Sequence, residues 1–432
     1  MINFIGIFYY ITDKILKFWR HGNNMKGQRL ISPLFIIPIL FSLVFLVWII
    51  FFPQFKNEVP GLATVPFYLS ASSLFKYVVL FCVFYFFILF GSSFQWYVTN
   101  NKNLEYNNEK GKLRYSTFKN KSFINYLFFV LFVIVFLLEM YSLIVIFQNY
   151  NLSTLVSKGF QQVAYITLQD EENIWRTFYN LLPIVSAFYF RGFFLEQRNK
   201  KNKIITFLIF LISIRLFFSA ARQITLIIWL IFFLYFVKYK IQNKISVMKL
   251  LLILLLLFFL IIFSELFRFG VWNSSTKNIS LFSIANINDV TKYIMVAYIG
   301  KNVNNAMIFL DSKPTYSMNY AGSGLFDPII NFLGPKDFIP IHDIGPHGTV
   351  DFIGLLWVGW GWFSIIVLAL LGFLIGFAYK RFILFNTLRS DLLYAIIFPG
   401  IISIIRINYF FLNLFIYSFI LYIIIDFLLD IK

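Results

Sequence analysis

Long apolar runs alternate along this chain with short polar breaks, most of them basic. A helix needs about 18–20 consecutive apolar residues to cross the roughly 30 Å of hydrocarbon in a bilayer. The runs reach that length repeatedly. In order they are Leu34 to Phe52, Phe75 to Phe94, Phe123 to Phe147, Trp175 to Phe194, Ile204 to Ala220, Ile224 to Val237, Leu250 to Phe267 and Phe352 to Tyr379. The last run, Leu392 to Leu429, is too long for one span, and Arg406 and Asn408 divide it into a hairpin of two. The sixth run is short, so it and the fifth are expected to tilt or to meet in a tight turn at Ser219–Gln223. The strand-length segments of alternating polarity that a membrane barrel requires are absent. The expected fold is an all-α polytopic integral membrane protein with about ten transmembrane helices.

Composition agrees with that pattern. Hydrophobic residues make up 60% of the chain and charged residues 13%, and the mean hydropathy is +0.78. The formal net charge of +18 does not point to nucleic acid, because the basic residues fall where membrane topology puts them. They cluster at Lys14–Arg29, Lys102–Lys121, Arg198–Lys203, Lys238–Lys249 and Lys380–Arg389, alternating with loops poorer in Lys and Arg. The positive-inside rule assigns these clusters, and with them both termini, to the cytoplasm. Pro53–Ser73, Gln148–Asn173 and the large loop 268–350, between spans seven and eight, then fall outside.

The chain is expected to form one transmembrane domain preceded by a cytoplasmic segment, residues 1–30. Met1 to Tyr10 is too short for a cleavable signal, and its basic residues follow rather than precede it. The first twenty residues fit either a helix lying on the inner surface or a loose terminus. The single cysteine, Cys82, excludes an intrachain disulfide and a cysteine-based metal site. No Walker-type phosphate loop and no convincing internal repeat are present.

Membrane residence does not account for the polar segment Lys313 to Val350. It carries two of the three histidines, His342 and His347, with Asp343 beside them and Asp351 just after. Its Gly and Pro pairs form turns, so an irregular loop is expected rather than a second domain. A histidine near its usual pKa of about 6.5 accepts a proton at neutral pH, as a base activating a hydroxyl must. The same His and Asp residues are also a metal-ligand set on paper, although His-x4-His in a Pro/Gly loop is a weak ligand pattern, and they are equally ordinary for a surface loop. Just before this segment, Asn286 to Leu310 spaces its apolar residues as a helix does. An amphipathic helix lying on or dipping into the outer interface is expected there.

Five arginines, Arg176, Arg215, Arg222, Arg268 and Arg406, gather at the membrane face opposite the basic loops. A guanidinium fork suits phosphate and pyrophosphate oxygens. Snorkelling to lipid headgroups is the plainer explanation for any one of them.

The order of these features resembles the Wzy-type polymerases of O-antigen and capsule repeat units. The residues that carry the resemblance are Arg215-Leu-Phe-Phe-Ser-Ala-Ala-Arg222-Gln, a large loop opening after Arg268, and Tyr298 to Met307 with Asn302, Asn304 and Asn305. A Gly-rich turn follows, then His347-Gly348-Thr349-Val350-Asp351-Phe352 and Trp360-Gly361-Trp362-Phe363. The paired Arg and Gly spacing that describes some members of that family is not found here.

The resemblance implies a multi-pass glycosyltransferase of the bacterial inner membrane, without cofactor or metal. Its substrate would be an undecaprenyl-pyrophosphate-linked glycan of lipopolysaccharide or capsule synthesis, and a separate protein would set chain length. Arg215, Arg222, Arg268 and Arg406, with Arg176, would hold the pyrophosphate. His347 or His342 would act as base, with Asp343 or Asp351 orienting it. An O-antigen ligase or another polyprenyl-linked glycosyltransferase shares much of this plan. A flippase or transporter of the same lipid-linked glycan is the non-enzymatic rival, and the large outer loop argues against it.

Overall fold

The computed structural model describes residues 31–58, 65–101, 121–149, 179–195, 199–218, 222–240, 291–292, 294–312, 351–404, 410 and 413–430. Every regular element among them is helical. In chain order these are α1 (Pro33–Phe55), α2 (Ala71–Asn101), α3 (Lys121–Asn149), α4 (Leu182–Leu195), α5 (Lys200–Phe218) and α6 (Arg222–Lys240). A π-helix (Ile294–Gly300) then runs into α7 (Lys301–Asp311). After it come α8 (Phe352–Trp360), a 3-10 turn (Gly361–Phe363), α9 (Ser364–Leu384), α10 (Leu388–Ser403) and α11 (Asn413–Asp430).

Four stretches of the described residues are long and apolar enough to cross a membrane: Pro33–Glu58, Ala71–Phe94, Ser122–Val145 and Phe352–Leu384. Their outward faces are apolar as well. Phe75, Phe86, Leu137, Phe207, Leu370 and Phe427 are each more than half exposed. Water would not tolerate so much exposed apolar surface, whereas lipid matches it. These are the features of a multi-pass helical membrane protein.

The closest helix pair is α2 with α9, which lie side by side pointing the same way. Gly372 faces Phe84, and Gly376 faces Ile88 and Ser92. A Cβ at Gly376 would meet the Ile88 carbonyl oxygen at 2.1 Å, and one at Gly91 would meet that of Phe373 at 2.3 Å. Small residues four apart let two backbones approach where hydrophobicity gives no drive for association. The tightness of the pair follows from three glycines, not from the phenylalanines around them.

The run starting at Phe352 is one membrane-length stretch, Phe352–Leu384, with a break inside it. Gly361, at φ 53°, ends α8, and the chain restarts through a 3-10 turn; glycine takes this backbone conformation without the strain a side chain would add. The sixth span is not short, since α5 and α6 each have 19 residues. The helix expected over Asn286 to Leu310 is present from Ile294 to Asp311, and Lys301 to Met307 within it are all buried. Two helices, α10 and α11, lie on either side of the expected split in the last run; Arg406 and Asn408 lie outside the described residues, as does the seventh run.

Candidate functional site

α7, with the π-helix that leads into it, is wedged between the ends of three other helices, α1, α2 and α8. Gly300, where the π-helix meets α7, lies so close to Phe52 of α1 that a Cβ would meet the Phe52 Cβ at 3.0 Å. Asn304, one turn on, is held on every side. Its Oδ1 accepts from Tyr68 N at 2.9 Å and from Trp48 Nε1 at 3.3 Å, and its Nδ2 donates to Pro66 O at 2.9 Å. The carboxamide stands in for a peptide group and pairs with the extended chain at 66–68. Those backbone groups would otherwise be unmet beside the apolar Trp48, Phe52 and Phe67. This explains why an asparagine is fully buried in a helix that lies in an apolar bundle.

The C-terminal end of α7 meets the N-terminal end of α2, and each carries a charge suited to the other. Asp311 accepts hydrogen bonds from Tyr68 Oη at 2.7 Å and from Ser70 Oγ. Ser70 itself caps α2, its Oγ accepting from Ser73 N at 3.1 Å. In return Lys76, in the second turn of α2, donates to the Leu310 carbonyl at 2.6 Å and lies over the Trp357 ring at 4.9 Å. A carboxylate near a helix N-terminus and an ammonium near a C-terminus both oppose the helix dipole. The hydroxyls of Ser70 and Tyr68, together with Lys76, outweigh partial burial and hold the Asp311 carboxyl below its ordinary value, while the same bond raises Tyr68.

Next to Lys76, Tyr77 reaches the far side of the loop. Its hydroxyl donates to Asp351 Oδ2, and Asp351 Oδ1 accepts from Gly354 N at 2.8 Å, which caps α8. Asp351 is 2% exposed. Burial pushes its carboxyl up to about 7 against the opposing pull of those two bonds. Trp357 of α8 donates to the Ser312 carbonyl at 3.5 Å. Leu310 and Asp351, on either side of segment 313–350, are therefore bonded by Lys76 and Tyr77, consecutive residues of α2.

Of the residues singled out in the sequence, Asp351 belongs to this seat. Arg215 is elsewhere, on α5. It grips Glu139 of α3 with Nε and Nη2, and Nη2 also donates to Ser142 Oγ at 3.2 Å. Tyr179 Oη donates to the same carboxylate at 2.8 Å. The third nitrogen, Nη1, is buried without a partner among the described residues. Arg222 opens α6, and its side chain lies outside the described residues. Arg176, Arg268, Arg406, His342, Asp343 and His347 also lie outside them.

A second polar junction closes the other end of the bundle. Asp391, in the first turn of α10, accepts from Lys238 at 2.5 Å, from Arg191 at 2.5 Å and from Tyr239 at 2.6 Å. Lys238 also donates to Phe382 O at 2.7 Å, and Arg191 to Asn386 O at 3.1 Å. Lys238 therefore meets a carbonyl in the last turn of α9, where cations are favoured, and Arg191 one in the connection between α9 and α10. All of these groups belong to Lys and Arg clusters that the topology rule places together, or to the helices bordering them.

Lys76, Tyr77, Asn304 and Asp311 were not singled out as site residues. Their sequence signal is an unusual density of polar groups within otherwise apolar helices: Lys76-Tyr77 near the start of α2, and Lys301-Asn302-Val303-Asn304-Asn305. Comparison with protein-family models, with curated proteins and with solved structures finds no match to this chain.

Proposed function

We propose that this chain is a glycosyltransferase of the bacterial inner membrane that polymerises undecaprenyl-pyrophosphate-linked oligosaccharide repeat units on the outer face. The reading places both termini in the cytoplasm, about ten helices across the membrane and the loop 268–350 outside. The acceptor hydroxyl attacks the anomeric carbon of the donor chain. The bond from that carbon to the pyrophosphate oxygen breaks, and the acceptor proton passes to a base in the loop, His347 or His342 with Asp343 beside it. Outer-face arginines, Arg222, Arg268 and Arg406 with Arg215 and Arg176, balance the charge gathering on the leaving pyrophosphate.

The observation that carries the reading is the clamp on the loop. Lys76 bonds the helix that enters segment 313–350, and Tyr77 bonds the residue that follows it. A histidine-bearing segment anchored at both ends to the transmembrane bundle suits chemistry done where a lipid-borne substrate emerges. A flippase has no use for such an anchor. Under this reading Asp351 holds the loop rather than orienting the base, since both its oxygens are engaged.

The test is the length distribution of surface glycan in cells deleted for the gene and complemented with wild type, Arg222→Ala or His347→Ala. Collapse to single repeats, restored only by wild type, is the expected result. Loss of all outer-face glycan would favour a flippase or ligase, and an unchanged distribution would remove the glycan reading.

A further inference from the structure

Among the described residues, one charge on α7 is left without a partner. Lys301 presents 0% of its surface to solvent, and its Nζ has no hydrogen-bond acceptor. A cation buried without a counter-charge is strongly unfavourable. The carboxylates of the same seat are already engaged, Asp311 by Tyr68 and Ser70, and Asp351 by Tyr77 and Gly354. Asp311 is also too distant, ten residues further along the helix axis, about 15 Å at the α-helical rise.

The helix cannot easily shift to relieve the amine. Gly300 is pressed on Phe52 just before it, and Asn304 is fixed three residues after it. Burial accordingly pulls the Lys301 amine below its ordinary value. Every other charged group of the seat has a bonding partner, so what Lys301 lacks is an acceptor carrying negative charge.

We infer that Lys301 is the cationic centre of a binding site for a phosphate-class oxyanion at the N-terminal end of α7. The oxyanion displaces the side chains that cover the amine, and in that dry setting a charge-assisted bond is stronger than in water. If the chain is a polymerase, as proposed above, the oxyanion is the pyrophosphate of the lipid carrier, and only this identification rests on that reading.

The experiment uses the full chain in phosphatidylcholine nanodiscs and follows thermal unfolding and binding. The probes are farnesyl pyrophosphate, inorganic pyrophosphate and the neutral farnesol. A second set of discs contains phosphatidylglycerol. Farnesyl pyrophosphate is expected to raise the melting temperature and farnesol to leave it unchanged. Lys301→Met should weaken farnesyl pyrophosphate binding by roughly 10–100-fold, the range for loss of one charge-assisted bond. Its ligand-free melting temperature should match or exceed wild type, which also shows that it folds. Lys301→Arg should retain most of the binding.

No oxyanion effect on wild type, or an equal effect on Lys301→Met, would overturn the site. A Lys301-dependent effect as large with inorganic pyrophosphate, or with phosphatidylglycerol, would uphold the oxyanion site and assign it to free phosphate or a headgroup instead of the carrier. An unchanged glycan distribution with Lys301-dependent binding intact would count against the polymerase reading alone.

Discussion

Tyr77 and Asp351, 274 residues apart in the chain, meet through a 2.5 Å hydrogen bond. That bond joins the second turn of α2 to the cap of α8, and it sits one residue from the Lys76 contact to α7. Tyr77→Phe removes a donor from a buried carboxylate and should lower stability by about 1–3 kcal/mol. Tyr85→Phe, at another tyrosine of α2 that bonds only the Leu34 carbonyl, should cost less, about 1 kcal/mol. Thermal unfolding of the purified protein compares the two. An equal loss would show that the clamp has no special weight.

The same carboxylate sets a pH dependence. Its value in the fold, about 7, is above the reference of about 3.9 for a free aspartate. The folded chain therefore binds more protons than the unfolded one between those values, and stability falls as pH rises through that window. Asp351→Asn keeps a good N-cap and removes the titration. Melting temperatures from about pH 4 to 8 should decline for wild type and flatten for Asp351→Asn. Parallel curves would assign the dependence to another group.

Asp311 and Lys76 serve each other's helix. Asp311→Ala removes the acceptor for Tyr68 and Ser70, and Lys76→Ala bares the Leu310 carbonyl. Each should cost about 1–2 kcal/mol. Because the two residues bind at one junction, the double variant should lose less than the sum. Strict additivity in a double-mutant cycle would mean the two helix ends are independent.

Gly376 permits the α2–α9 approach. Gly376→Ala places a Cβ 2.1 Å from the Ile88 carbonyl oxygen, where no flexible side chain can give way. A loss of about 1–3 kcal/mol is expected from the forced separation. Leu370→Ala, on the outward face of α9 at 65% exposure, should change stability little. Comparable effects would place the close contact elsewhere.

The Glu139–Arg215 pair separates stability from function. Glu139→Gln leaves a guanidinium facing a neutral partner in a buried site and should cost about 3–5 kcal/mol. The double change Glu139→Leu, Arg215→Leu removes both charges and should recover most of that loss. If Arg215 also contacts pyrophosphate through Nη1, the stable double variant will still make only short glycans. Long glycans from it would confine Arg215 to holding Glu139.

The hydrophobic pattern by itself determined the helical class and the places where most of the described helices lie. These follow from segment length and local composition, and a bilayer imposes them on each segment separately. Asp351 could be noted from sequence for its position beside His347, but not for capping α8, because a cap is read only once the helix start is known. The chain could not show that Asn304 pairs with residues 66–68, that Lys76 and Tyr77 grip opposite ends of one loop, or that Arg215 is held by Glu139. Those contacts join residues far apart in sequence. The amphipathic pattern of α7 was legible, but what its polar face meets was not, for the same reason. A polar helix face looks identical in sequence whether it meets water or the polar ends of other helices, and only the packing of α1, α2 and α8 around it decided which.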